Sequence, residues 1–245
     1  MRALYDVKIA SQCAGDYTAG EQTDCKDNRL GKSGQETEAS TAKTPYHHGD
    51  LREALLRAAE AELAEKGMEG FTLRGCAKRA GVSHAAPKHH FRDANALLTE
   101  LAAVGFGRFV RAMRARRDAA ENTPRARLVG VGLGYIDFAR ENPALFRLMF
   151  SSFRPDFETA SLMTQARDAF NLLVESVGDL RGVDPRSDTS AMRDVAAAWA
   201  TAHGLADLLL SDRIKFMAEI SDGAPERLYA DIISRSVPDR PVGGD

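Results

Sequence analysis

Cysteine is scarce in this chain, and its three copies do not pair. Cys13, Cys25 and Cys76 are odd in number and far apart, which argues against a disulfide framework or a zinc ribbon and suits a reducing compartment. No apolar run approaches the roughly 20 residues that a membrane-spanning helix needs. The opening residues, MRALYDVKIASQC, lack the apolar centre of a secretory signal, so the expected location is the cytoplasm, with no membrane as partner. Runs of Val, Ile and Thr with a period of two are missing, which predicts a nearly all-helical, all-α protein. Also missing are a Gly-rich phosphate loop, a nucleophile elbow and a frame of paired carboxylates. The expectation is therefore no enzyme, no catalytic residue and no cofactor.

Histidine needs its own reading, because five of the six lie between His47 and His90. Such a cluster invites a metal. None of the spacings is the His-Glu-x-x-His or Cys-x-x-Cys that sets ligands on one face at bonding geometry. His89 and His90 are adjacent, so on a helix they point about 100° apart. No metal site is assigned.

What is present is a composition of 44% hydrophobic and 28% charged residues, that of a soluble globular protein. The length holds one small and one medium domain, each expected to have its own apolar core. The net charge of −2 hides an asymmetry: residues 43–117 carry 14 Lys/Arg against 8 Asp/Glu, and residues 118–245 carry 14 against 20. A basic first unit beside an acidic second one suits a protein that meets a polyanion with one end only. Polar residues 1–44 show no sustained period and read as a disordered arm. The first folded unit is placed at 45–110, the second at 111–236, and a loose tail at 237–245.

Residues 72 to 91, TLRGCAKRAGVSHAAPKHHF, are the most informative stretch. Thr72 is a candidate N-cap for a short helix through Ala80, Gly81 and Val82 make a tight break, and Ser83 is placed to cap a second short helix over 84–90. Two short helices joined by a Gly-containing turn form a DNA-reading helix-turn-helix. Ala77 and Ala80 are small enough to let them approach. Ahead of the pair, Leu51, Leu55, Ala58, Ala59 and Leu63 form one stripe on a helix from Gly49 to Lys66, which Gly67 ends. Phe71 and Leu73 plug the core beneath. Pro87, near the first turn of the second helix, removes one donor at little cost. Phe91 anchors its end from inside. A long helix from Asn95 to Arg117 then links this unit to the next.

The order of these features resembles the tetracycline-repressor (TetR) family. The resemblance rests on the first helix, Phe71-Thr72-Leu73-Arg74, Ala80-Gly81-Val82-Ser83, and the short helix ending His90-Phe91. Trp199, His203 and Gly204, on an expected helix, are similar to the Trp-His-Gly subgroup of regulatory domains in that family. The resemblance implies a helical homodimer. Its N-terminal domains would bind a palindromic operator in double-stranded DNA, and its C-terminal domains would dimerise and sense a small molecule. Two positions depart from the family's usual pattern: Lys88 stands where Tyr is common, and Ala94 where Lys is common. Lys88 replaces a neutral phosphate contact with a charged one, and Ala94 loses a contact.

The expected DNA contacts are Thr72, Arg74, Ser83, His84, Ala85, Lys88, His89 and His47. Thr72 sits on a phosphate. Arg74 reaches phosphate or a guanine edge. His84, Ala85 and Lys88 enter the major groove at one-turn spacing, with Ala85 against a thymine methyl. His47 lies along the backbone. For His48 and His90 a solvated side chain without a partner is an equal alternative.

In the second unit, stripes over 125–140, 157–180 and 190–211, with a short helix opened by Pro143, read as a bundle. The pairs 190–211 and 225–235 are the expected dimer seam. Phe146, Met149, Phe150, Phe170, Trp199 and His203 are the candidate ligand residues, His203 being the polar handle. Their alternative reading is plain core packing. The function expected is a repressor released by a small, mostly apolar effector. The alternative is a DNA-binding or interaction protein of low specificity without a ligand.

Overall fold

The computed structural model describes residues 48–238. The expected arm 1–44, His47 and the end of the tail, 239–245, lie outside the described residues, as does the side chain of His48. All regular structure described is helical: α1 (His48–Gly70), α2 (Leu73–Arg79), a 3-10 turn (Ala86–His89), α3 (Ala94–Ala119), α4 (Pro124–Glu141), α5 (Pro143–Ser151), α6 (Ala160–Arg181), α7 (Thr189–Leu210), α8 (Phe216–Ile220) and α9 (Pro225–Arg235).

Short polar side chains start four of these helices, Thr72 as the sequence predicts. Thr72, Asp93, Thr123 and Asp188 each accept a hydrogen bond from the backbone N–H three residues on, at 3.0, 2.8, 3.2 and 2.8 Å. Pro124, Pro143 and Pro225 open α4, α5 and α9, where a missing N–H does no harm. Gly67, at φ 65°, breaks α1 where the sequence places its end, and one more turn follows to Gly70. The five-residue α8 was not expected; it is too short to show a period.

The two units do not have separate cores. One buried cluster runs from Leu55, Leu63, Phe71 and Phe91 through α3 to Phe138, Phe146, Leu172 and Ala206. The physical reason is α3 itself. Leu97, Leu98 and Leu101 pack under α1 and α2, while Phe106, Phe109 and Met113, further along the same rod, pack into the bundle. Val237, at the start of the expected tail, is fully buried beside Leu128, Val174 and Val177.

At two positions helices α3 and α4 approach to backbone contact. A Cβ at Gly134 would lie 2.6 Å from the Ala112 carbonyl oxygen and 2.6 Å from the Met113 Cα, and one at Gly130 would lie 2.7 Å from the Arg116 carbonyl oxygen. Only glycine fits at either position. Arg116 locks the seam from outside, with Nε 2.6 Å from Asp137 and Nη1 2.9 Å from Glu226 on α9.

Candidate nucleic-acid interface and buried cavity

The turn after α2 is closed by backbone. Val82 N–H donates to the Ala77 carbonyl (3.0 Å) and Gly81 N–H to that of Lys78 (3.2 Å), with Gly81 at φ 70°. This is a Schellman closure, which needs glycine at its left-handed position. Cys76 and Ala77 are fully buried beneath it, and burial pushes the Cys76 thiol up to about 11, so it stays protonated and inert. Arg79 belongs to the scaffold: it donates to Glu62 (3.1 Å) and Glu65 (2.5 Å) on α1, tying α2 down.

The expected α-helix over 84–90 is instead a 3-10 turn over Ala86–His89. Pro87 is the reason. In an α-helix the Ser83 carbonyl would accept from residue 87, which has no N–H. It accepts from Ala86 N–H at 3.0 Å instead, and Lys88 N–H and His90 N–H follow with the same three-residue reach, to Ala85 and Pro87. Ser83 acts through this carbonyl; the N-cap position is Ala85, which makes no side-chain cap bond. Pro87 and Phe91 are buried and hold the turn from inside.

Thr72, Arg74, Lys78, Ser83, His84, Ala85, Lys88 and His89 are all exposed at this end of the molecule, and His90 is half-buried. With three residues per turn, Ala85 and Lys88 eclipse one another and share one edge. Sequence reasoning passed over Lys78, although its place on α2 one turn after Arg74 was visible. Among the described residues there is no group of three or more His, Cys, Asp or Glu arranged to hold a metal.

At the other end, α3, α4, α5, α6, α7 and α9 line an apolar cavity of ≈ 50 Å³. Phe150, Phe170 and Trp199 of the candidate ligand residues line it, together with Phe106, Phe109 and Tyr135. Phe146, Met149 and His203 do not line it. Met149 is buried beside α3, where a Cβ at Gly105 would meet its sulfur. Phe146 stacks behind Phe150, with ring centres 4.8 Å apart.

His203 faces Tyr135, whose hydroxyl lies 2.7 Å from Nδ1. Trp199 also hydrogen-bonds Tyr135. Indole only donates, so the Tyr135 oxygen accepts from Trp199; a phenol oxygen can accept twice, so the direction of the Tyr135–His203 bond follows the His203 tautomer. Desolvation lowers the His203 pKa below its ordinary value and raises that of the Tyr135 phenol, so both are neutral near pH 7. No sequence signal announced this bond, since its partners are 68 positions apart.

The sequence profile described as bacterial regulatory proteins, tetR family, matches residues 55–101, and that of the tetracyclin repressor-like C-terminal domain matches residues 128–232. A protein of unknown function from Rhodococcus sp. RHA1, known from a solved structure, is 33% identical with a TM-score of 0.65, covering 80% of this chain and 99% of that one. The HTH-type transcriptional regulator BetI of Pectobacterium atrosepticum is 34% identical over 97 residues, 39% of this chain and 50% of that protein. The chain thus spans about half the length of the curated relatives it matches. The transcriptional regulator FadR from Bacillus subtilis, solved with stearoyl-CoA, shares the fold at 17% identity and a TM-score of 0.53, over 77% of this chain and 98% of that one.

The chain belongs to the TetR family.

It accordingly has the family's two-part layout, an N-terminal helix-turn-helix and a C-terminal helical domain. No helix among its described residues is long and apolar enough to cross a membrane. In this TetR-family chain a clasp joins the two ends. Arg154, on the loop between α5 and α6, donates from Nη1 to the Met68 carbonyl and from Nε to the Asn95 amide oxygen, both at 2.9 Å. Its guanidinium lies 5.8 Å from the centre of the Phe71 ring. Two residues on, Asp156 N–H donates to Thr99 on α3 (2.9 Å). Phe150, at the cavity, is therefore four residues from a side chain gripping the reading head.

Proposed function

We propose that this chain is a DNA-binding transcriptional regulator, a repressor that binds a palindromic operator as a homodimer and leaves it when a small, mostly apolar effector occupies the cavity. The single observation that carries the reading is the pairing of an exposed row of cationic and imidazole side chains at one end of α3 with an apolar cavity at the other end of the same helix. In this reading residues 45–110 form the DNA-binding unit and 111–236 the sensing and dimerising unit. Arg74, Lys78 and Lys88 neutralise phosphates or reach guanine edges. Thr72, Ser83, His84, Ala85 and His89 complete the surface. The cavity-lining Phe150, Phe170 and Trp199 meet the effector, and Phe146, Met149 and His203 support them from behind. Helices α7 and α9 form the seam with a second copy. The protein works in the cytoplasm and catalyses nothing.

Release is a population shift. The two reading turns must sit about 34–36 Å apart to enter successive major grooves, and the effector favours a dimer with a different separation. Selecting bound duplexes from a random library, at stated salt, tests this directly. A palindrome with half-sites about one turn apart is expected. If specific and non-specific affinities come out equal, the chain is instead a DNA-coating protein of low specificity and the repressor reading fails.

A further inference from the structure

We propose that the cavity takes a compact, uncharged aromatic compound carrying at most one hydrogen-bonding group, and discriminates against ionised relatives of the same shape. This rests on the sensing reading above and adds the ligand's chemical class.

Three observations lead there. The first is charge. No residue lining the cavity carries a charge. His203, behind the lining, is kept neutral by desolvation, and Asp207, which acts on it from one turn further along α7, is exposed. An ion entering would lose its hydration and find no counter-charge.

The second is the polar inventory. Tyr135 supplies the hydroxyl of the lining, and it is already engaged with Trp199 and with His203. One of its three hydrogen-bonding positions remains, so the site has room for one polar contact with a guest there. A ligand with several polar groups would leave most of them unpaired.

The third is shape. Ala166 and Ala169 on α6, Ala198 and Ala202 on α7, and Gly132 on α4 present no bulk, whereas Phe106, Phe109, Tyr135, Phe150, Phe170 and Trp199 stand as ring walls. The walls already meet edge to face: Phe109 and Tyr135 at 4.7 Å and 84°, Phe106 and Phe150 at 5.4 Å and 67°. An aromatic guest extends this pattern, offering its edge to one ring and its face to another. At ≈ 50 Å³ the cavity is smaller than the roughly 150 Å³ void known to admit benzene, so one ring enters only as a wall moves. Phe150, Phe170 and Trp199, the partly exposed members, are the walls with room to do so.

Trp199 is the only tryptophan in the chain and it lines the cavity, so its fluorescence reports occupancy without a label. Four one-ring probes separate the possibilities: toluene, benzyl alcohol, benzoate and benzylammonium, titrated into the full chain at pH 7. Excitation at the red edge of indole absorption keeps the probes dark. Toluene and benzyl alcohol are expected to change Trp199 emission saturably, with both ions weaker by on the order of a hundredfold or more. Methylcyclohexane, of toluene's size but without a π-face, is expected to bind more weakly than toluene. The proposal is overturned if either ion matches benzyl alcohol, if methylcyclohexane matches toluene, or if no probe alters the emission. Probes that bind in the expected order yet leave operator affinity unchanged would support the ligand class and count against the sensing reading instead.

Discussion

The reading head and the bundle place histidine in opposite settings. His84 and His89 project from a 3-10 turn into solvent, on a scaffold that buries small or stiff residues: Cys76, Ala77, Pro87 and Phe91. His203 sits among Tyr135, Phe146 and Phe150, with ring centres 5.4 to 6.1 Å away, and is held neutral. One region keeps polar groups available by burying little. The other removes water and turns its buried polar groups on one another, Tyr135 on His203 and Arg181 on Asp194. The difference teaches where each region is vulnerable: the head has few anchors and many free surface groups, the bundle many anchors and few free groups.

The sharpest way to break this comparison is at an anchor of the head. Phe91→Ala is expected to lower stability by about 3–5 kcal/mol, as for a fully buried phenylalanine, and to abolish operator binding. Denaturant unfolding gives the first quantity and a DNA-binding titration the second; a loss under about 1 kcal/mol would show that Pro87 holds the turn unaided. Next comes the seam. Gly134→Ala forces a methyl against backbone atoms that cannot rotate away and is expected to cost about 1–3 kcal/mol. Gly204→Ala, in open space on α7, is its control and is expected to be neutral or stabilising by about 0.5–1 kcal/mol.

The third contrast is pH. His203 has a lowered pKa in the folded protein, so below its unfolded value the unfolded chain binds a proton that the folded one refuses. Stability from this group is full above pH ~6.5 and is lost as pH falls through the folded value, with a slope of at most about 1.4 kcal/mol per pH unit. Unfolding curves between roughly pH 5 and 8 are expected to show this decline in the wild type and less of it in His203→Gln. Smallest in stability terms is Lys88→Ala. The melting temperature stays put, while the slope of log affinity against log salt becomes shallower by about 1. An unchanged slope removes Lys88 from the phosphate contacts.

Helix existence was legible because stripes, caps and prolines act locally: α4, α5, α7 and α9 start where Pro124, Pro143, Asp188 and Pro225 say they do. The helix-turn-helix was legible for the same reason, down to Thr72 and Gly81. What sequence alone misjudged was the last hydrogen-bond pattern, where Pro87 was expected to cost the second helix little and instead converts it to a 3-10 turn. Of the cavity, Phe150, Phe170 and Trp199 were visible as an apolar, aromatic population. That Phe146 and Met149 lie behind it depends on side-chain packing between helices, which no local pattern encodes. The Arg154 clasp and the Tyr135–His203 bond join positions far apart in sequence, so spacing rules could not find them. The glycines at 130, 132 and 134 were in plain view, and their repeat on one helix was the missed sign of close approach.

That repeat has a consequence for how a signal travels. Most helix pairs are separated by side chains, and a displacement of one helix is partly absorbed as those side chains change rotamer. Where Gly130 and Gly134 lie against the carbonyls of Arg116 and Ala112, there is nothing in between to yield. Any lateral displacement of α4 by a filled cavity has to be taken up by the rod that bears the reading head, without backlash.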